Sequence, residues 1–306
     1  MTIVVAQVQS VRFDHLVPGH LVHRTQLADV LVTDAVAGVG GIFHCGAQWP
    51  RHHVLLGQTI HVDAALVAET VRQVTTYLAH AKYEVPLGHQ FLMSNLDISV
   101  DTARLMESVH CNVSATATIT DIRRNARGIL AFFLTLELSD VSGWIATGSA
   151  QARITDPLTY ARTRGRRGQL NEPAADHPRR LQSTVLGDRE PDHDVVKRSA
   201  HSNALELRQD VHDSVFFDHP LDHVPGMLLL EAARQSLRLN LGDALLDLES
   251  CSMSFTRMVE LDTTCEIDIA PIGTDQLSRE FTVTFSQNGA LAAIARCRTV
   301  SGNATS

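Results

Sequence analysis

The sequence predicts an α+β chain that uses one unit twice, a helix followed by an antiparallel meander. Three observations carry this. A thirteen-residue phrase occurs in two copies: His61-Val-Asp-Ala-Ala-Leu-Val-Ala-Glu69-Thr-Val-Arg72-Gln73 aligns without a gap with His223-Val-Pro-Gly-Met-Leu-Leu-Leu-Glu231-Ala-Ala-Arg234-Gln235, identical at six positions and offset by 162 residues. Both copies are apolar around nearly the whole helical circumference, from Ala64 to Val71 and from Gly226 to Ala233, which marks a helix enclosed by protein on all sides. Each is followed by four segments rich in Val, Ile, Thr and Phe, the composition of strands.

Taken in order, the helices are predicted over 62–80 and 224–241, with Asp63 as a cap for the first and Pro225 in the first turn of the second. Strands are predicted at about 89–100, 109–122, 128–138 and 144–154, then 250–258, 263–271, 278–286 and 290–300. Asn125-Ala-Arg-Gly128 and Ser286-Gln-Asn-Gly289 supply turns. Leading strands are expected near 20–33, 41–48 and 203–211. A sheet curled around a central helix satisfies a helix with no polar face, and this is the hot-dog architecture in tandem. The domains are then 1–157 and 196–306, with 158–195, rich in Arg, Pro and Gly, as a mobile linker whose basic residues are either simply solvated or a contact for an acidic carrier protein or phosphorylated ligand.

Composition narrows the function. A length of 306 residues accommodates two domains with real cores. A net charge of −8 argues against a nucleic-acid partner. No apolar run approaches the ~20 residues of a membrane span, and the N-terminus lacks the pattern of a signal peptide, so no membrane partner and a cytoplasmic location are expected. Five widely spaced cysteines form no Cys-x-x-Cys pair, which suits reduced core residues. No ligand spacing such as His-Glu-x-x-His occurs, so no metal and no other cofactor is expected.

Chemistry centres on the repeated phrase. A lone carboxylate in an apolar helix is costly unless it has a partner or a task, and burial raises its pKa toward the useful range for a base. Glu231 is therefore the leading general-base candidate, with His219 as partner or alternative base and His223 as the competing histidine. Arg234 and Gln235 share a helical face with Glu231, the Arg suiting a phosphate. The backbone N–H groups of Gly226 and Met227, at a helix start, suit an oxyanion. The first half repeats Glu69, Arg72 and Gln73 but has Asp63-Ala64 in place of Pro225-Gly226, and its upstream candidates are Arg51 and His53. The plain alternative is that both Glu-Arg pairs are i,i+3 ion pairs inherited by duplication.

The stretch from Phe216 to Gln235 resembles the active-site region of hot-dog 3-hydroxyacyl-ACP dehydratases, although His219 stands closer to Pro225 than in that family. Nearly the whole chain resembles the A-factor synthase (AfsA-type) family of gamma-butyrolactone and butenolide autoregulator synthases. The phrases that carry this are Leu21-Val-His23-Arg24, Ala47-Gln-Trp-Pro50, Leu66-Val-Ala-Glu69-Thr-Val-Arg72-Gln73, Val85-Pro-Leu-Gly-His89-Gln-Phe-Leu-Met93 and Phe217-Asp-His-Pro-Leu-Asp-His-Val-Pro-Gly226. The resemblance implies an acyltransferase that moves a β-ketoacyl group from acyl carrier protein or CoA to dihydroxyacetone phosphate or a similar C3 acceptor, giving a precursor of a signalling molecule. A hot-dog dehydratase or thioesterase, and a non-catalytic acyl-ligand sensor, are the alternatives. Monomer and homodimer are both open.

Overall fold

The computed structural model describes residues 11–50, 63–104, 111–168, 194–199, 202, 204–213, 215–273 and 279–301. The first half contains β1 (Val32–Ala37), β2 (Ile42–Gln48), α1 (Ala64–Ala81), β3 (Gln90–Val100), β4 (Asn112–Asn125), β5 (Gly128–Asp140) and β6 (Gly143–Thr155), followed by a short helix α2 (Pro157–Arg164). The second contains β7 (Val196–Arg198), β8 (Leu205–Leu207), α3 (Gly226–Leu241), β9 (Asp247–Phe255), β10 (Glu266–Pro271), β11 (Glu280–Gln287) and β12 (Ala290–Val300).

Among the described residues the strands form one antiparallel sheet in the order β1-β2-β4-β5-β6-β3-β9-β12-β11-β10-β8-β7. The right half of that order repeats the left half in reverse, so the two units are related by an approximate two-fold axis at the β3–β9 seam. Across the seam Asn95 pairs with Ser254 and Ser99 with Ser250, and Ile98 faces Cys251. The Asp97 carboxylate accepts from the hydroxyls of Ser252 at 2.5 Å and Ser149 at 3.1 Å. Two meanders were expected; their fusion into a continuous sheet is a tertiary result.

Each helix is as enclosed as its composition demands. Fifteen residues of α1 and twelve of α3 are buried. The sheet approaches α1 so closely at Gly148 that a Cβ there would stand 2.3 Å from Val71, a contact only glycine permits. Asp63 caps α1 by accepting from the Ala65 N–H at 2.6 Å, as expected. Pro225 is the N-cap of α3 and offers no side-chain bond, and Gly242 closes that helix in the left-handed region at φ 67°.

Two expectations need correction. The stretch 20–33 is not a strand until Val32: Gly19–Leu21 and Leu27–Asp29 form single 3-10 turns, and His23 between them has φ +54°, outside the extended region of regular strands. The mobile linker was expected to begin at 158, yet Pro157–Arg164 is helical, with Asp156 accepting from the Thr159 N–H. Arg164 anchors it by two 2.8 Å bonds to the Glu260 carboxylate and one to Asp222. Residues 169–193 lie outside the described residues.

Candidate active site

The two Glu-Arg-Gln phrases share one local construction. In α1, the Gln73 amide donates to Glu69 Oε1 at 2.7 Å and accepts from the Leu31 N–H at 2.8 Å. In α3, Gln235 donates to Glu231 Oε1 at 2.9 Å and accepts from the Val195 N–H, also at 2.9 Å. Leu31 and Val195 directly precede β1 and β7, so each Glu-Gln pair latches a central helix to the edge of its own half. This explains why Glu and Gln recur together whatever the chemistry.

The arginines differ. Arg72 bonds Glu69 from Nε at 2.8 Å and Nη2 at 2.7 Å, and Arg24 adds bonds of 3.0 and 2.8 Å to the same carboxylate. Burial would push the Glu69 carboxyl up, but the two guanidiniums and the Gln73 bond outweigh it and hold it well below the usual range. Two guanidiniums thus share one carboxylate, with Asp29 and Asp218 also acting on Arg24, and both arginines line the cavity described below. Arg234 is 1% exposed and stands between Glu231 at 2.6 Å, Asp63 at 2.5 Å and Asp247 at 3.5 Å. Here three carboxyl groups surround one cation.

A cavity of about 930 Å³ opens at the seam of the two halves. One wall is the middle of α1 and the start of β3; the other is the 219–225 loop, the first turn of α3 and the residues after β9. Phe91, Met93, Leu229 and Phe255 give it an apolar channel, while Arg72, Arg153 and Arg257 add cations. Loops from both halves close over α1. Arg24 donates to the Val215 carbonyl at 3.0 Å, and the Thr25 N–H donates to the Asp218 carboxylate at 2.6 Å.

His223 lines this cavity with a fixed tautomer. Its Nδ1–H donates to Asp222 Oδ1 at 2.7 Å, which leaves the Nε2 lone pair for a substrate. Asp222 also accepts from Tyr160 at 2.6 Å and Arg164 at 2.8 Å. Burial works against the charge on Asp222, but the bonds from His223, Tyr160 and Arg164 keep it a carboxylate well below the usual range. An imidazole oriented by a carboxylate is the arrangement that general bases use. Three residues further on, the N–H groups of Gly226 and Met227 begin α3, have no acceptor among the described residues, and border the cavity. A Cβ on Gly226 would come within 3.1 Å of the Phe255 ring, so glycine keeps this approach open.

His219 also lines the cavity, with its ring 6.5 Å from that of His23. Its pKa is lowered by burial and by Arg72 and Arg24, against Asp218. Its setting is thus the Arg24–Arg72–Glu69 cluster, with Asp218 next to it in the chain. Glu231 does not stand isolated as expected: it is 2% exposed, it is held by Arg234 and Gln235, and it does not line the cavity. Arg234 and Gln235 are likewise spent inside the protein, as is Gln73. Arg51 and His53 lie outside the described residues. Burial pushes the Cys45 and Cys265 thiols up to about 12, which removes them as nucleophiles. Among the described residues no group of His, Cys, Asp or Glu is set to hold a metal, and no helix is long and apolar enough to cross a membrane.

Sequence reasoning missed Arg24, Asp222, Tyr160 and the pair His23–His80. Asp222 was detectable as the neighbour of His223. Tyr160 sat inside the presumed linker, and only the fold brings Arg24 to Glu69.

A single chain that folds as two hot-dog units on a continuous sheet, with one polar-ended acyl-sized cavity at their seam, defines a tandem hot-dog protein. Its overall fold matches that of an acyl-ACP thioesterase from Bacteroides thetaiotaomicron VPI-5482 with a TM-score of 0.51 at 11% identity, over 84% of this chain and 98% of that one. The family model described as the A-factor biosynthesis hotdog domain (AfsA) matches residues 5–156 and 171–301. A 2-oxo-3-(phosphooxy)propyl 3-oxoalkanoate synthase from Streptomyces virginiae is 35% identical over 277 residues, 89% of this chain and 93% of its own length. A synthase of the same name from Streptomyces coelicolor is 32% identical, over 82% of this chain and 81% of its own. The chain belongs to the AfsA family.

Proposed function

We propose that this protein is an acyltransferase that joins the 3-oxoacyl group of a thioester, carried by acyl carrier protein or CoA, to the hydroxyl of dihydroxyacetone phosphate. The relatives' name specifies the product ester. The observation that carries the reading is the convergence on one cavity of an oriented imidazole, two open N–H groups and a guanidinium, from His223, Gly226–Met227 and Arg72. These are the base, the oxyanion donors and the phosphate cation that this transfer needs.

In the reaction, His223 Nε2 takes the proton of the acceptor hydroxyl as its oxygen attacks the thioester carbonyl. The tetrahedral oxyanion is held by the N–H groups of Gly226 and Met227, at the positive end of α3. Collapse breaks the C–S bond, forms the ester C–O bond and passes the proton from His223 to the departing thiolate. The acyl chain runs along Phe91, Met93 and Phe255. Arg72, held by Glu69, meets the acceptor's phosphate, while the exposed Arg153 and Arg257 at the rim suit the phosphate-bearing arm of the donor. Both halves of one chain build this cavity, which supports the monomer as the active unit.

The test is to incubate the purified protein with a 3-oxoacyl thioester and dihydroxyacetone phosphate and to follow products by mass spectrometry. The expected product is the phosphorylated ester with release of free thiol. Free 3-oxo acid, or an enoyl thioester from a 3-hydroxyacyl donor, in place of the ester would overturn the reading.

A further inference from the structure

His23 has a conformation and a set of partners that the reaction above does not use. Its φ of +54° is costly for a residue with a Cβ. Such strain persists only where the surroundings impose it. His80 Nδ1–H donates to the Val85 carbonyl at 2.7 Å, so His80 Nε2 is an acceptor, and His23 Nε2–H donates to it at 2.9 Å. The two bonds fix both tautomers and leave His23 Nδ1 with its lone pair in the cavity that His23 lines. The Phe91 ring stands 5.2 Å away, edge to face, and supports the imidazole.

The groups facing His23 come from every neighbouring element: Arg24 beside it in the chain, Arg72 and His80 on α1, and His219 on the loop before α3. The carboxylate among them, Glu69, is already saturated by Arg24, Arg72 and Gln73. An imidazole lone pair, a second imidazole and a guanidinium therefore meet at one wall, and the other carboxylate near them, Asp218 beside His219, is engaged by the Thr25 N–H and hydroxyl.

We infer that His23, held by His80 and flanked by Arg72 and His219, recognises the phosphate monoester of the acceptor, and that this phosphate binds together with a proton shared between its oxygen and His23 Nδ1. This rests on the acyltransferase reading for the identity of the acceptor, but the subsite stands on its own geometry. Burial first, then the charge of Arg72 and any charge that His80 or His219 takes up, hold His23 down to about 3, and so neutral. A dianion arriving among those charges reverses their effect. A phosphate monoester has its second pKa near ~6 and is mostly dianionic at neutral pH, so the complex carries a proton more than the separate partners. A sulfate monoester or carboxylate of similar shape carries a single charge and gains less.

The test uses the full chain without thioester, so that no turnover occurs. Glycerol 3-phosphate is titrated by calorimetry near ~pH 7.5, in buffers of different ionisation enthalpy. Uptake of about one proton on binding is expected, as is no binding of glycerol under the same conditions. The His23→Asn variant, whose residue tolerates positive φ, is expected to lose the uptake and to bind glycerol 3-phosphate about tenfold to a hundredfold more weakly. Binding by wild type without proton uptake, failure of wild type to bind, or unchanged affinity and uptake in His23→Asn would overturn the proposal. Proton-linked binding without ester formation in the product assay would remove the acyltransferase reading and keep the subsite; ester formation without uptake would do the reverse.

Discussion

Helices α1 and α3 carry the same Glu-x-x-Arg-Gln phrase and have opposite surroundings. In α1 the carboxylate of Glu69 is shared by two arginines, and Arg72 keeps an edge in the cavity. In α3 the guanidinium of Arg234 is shared by three carboxyl groups and reaches no solvent. The helix starts are reversed as well. That of α1 is closed by the Asp63 carboxylate, which also takes Arg234, whereas that of α3 opens into the cavity behind Pro225. One copy contributes its middle to the site and the other its N-terminus. Duplication therefore supplied two equal frames, and the charges arriving from outside each frame divided the work between them.

Substitution tests that division, and the largest effect falls on Arg234. Arg234→Ala leaves Glu231, Asp63 and Asp247 without their cation, and a loss of about 3–5 kcal/mol is expected from the shift of the urea midpoint. Arg72→Ala, the same change in the other copy, is expected to cost less stability, because Arg24 and Gln73 still hold Glu69. It should instead lower kcat/KM for the phosphorylated acceptor about a hundredfold. If both variants lost activity alike and kept the same stability, the copies would not be divided as argued.

His223→Ala is expected to lower kcat by about 10²–10⁴ with the fold intact by circular dichroism. Asp222→Asn, which keeps the imidazole but not its orientation, should lose less, on the order of tenfold to a hundredfold. Gly226→Ala places a methyl group against Phe255 at the open helix start and is expected to cost roughly tenfold in kcat. Its counterpart Ala64→Gly, at the capped start of α1, should leave kcat unchanged.

The smallest effect is in pH dependence, where the copies have opposite signs. Glu69 lies below its ordinary 4.5 in the fold, so the stability it contributes is present above that pH and is lost as pH falls. Asp247 beside Arg234 is raised from 3.8 to about 6 by burial and by Asp63, against Arg234 and Arg238. Folding there favours the protonated form, so a cost builds as pH rises from 3.8 through about 6. Urea midpoints measured across this range should show Glu69→Gln flattening the acid limb and Asp247→Asn flattening the fall above it.

Much of the fold was legible because it is local. Helices expected at 62–80 and 224–241 are Ala64–Ala81 and Gly226–Leu241, and the strand expected at 290–300 is Ala290–Val300. Hydrophobic period and turn residues determine these without help from distant sequence. The site was legible only in part. His219, His223, Gly226, Met227 and Arg72 line the cavity, while the leading candidates Glu231 and Arg234 do not. An isolated Glu in an apolar helix looks alike whether it faces a cavity or an arginine, since the partner that decides is far away in the chain. Glu69 meets Arg24 from 45 residues away, Thr25 meets Asp218 from 193, and Arg234 meets Asp63 from 171.

By itself, then, the sequence determined the duplication, the two enclosed helices, their meanders, and the placing of Glu, Arg and Gln on one face at i, i+3 and i+4, because each follows from the short-range periodicity of the chain. Only the tertiary structure decided which copy would present its arginine to a ligand and which its open helix end. A buried charge takes its role from the sum of charges packed around it, and that sum is set by loops from both halves closing over one seam.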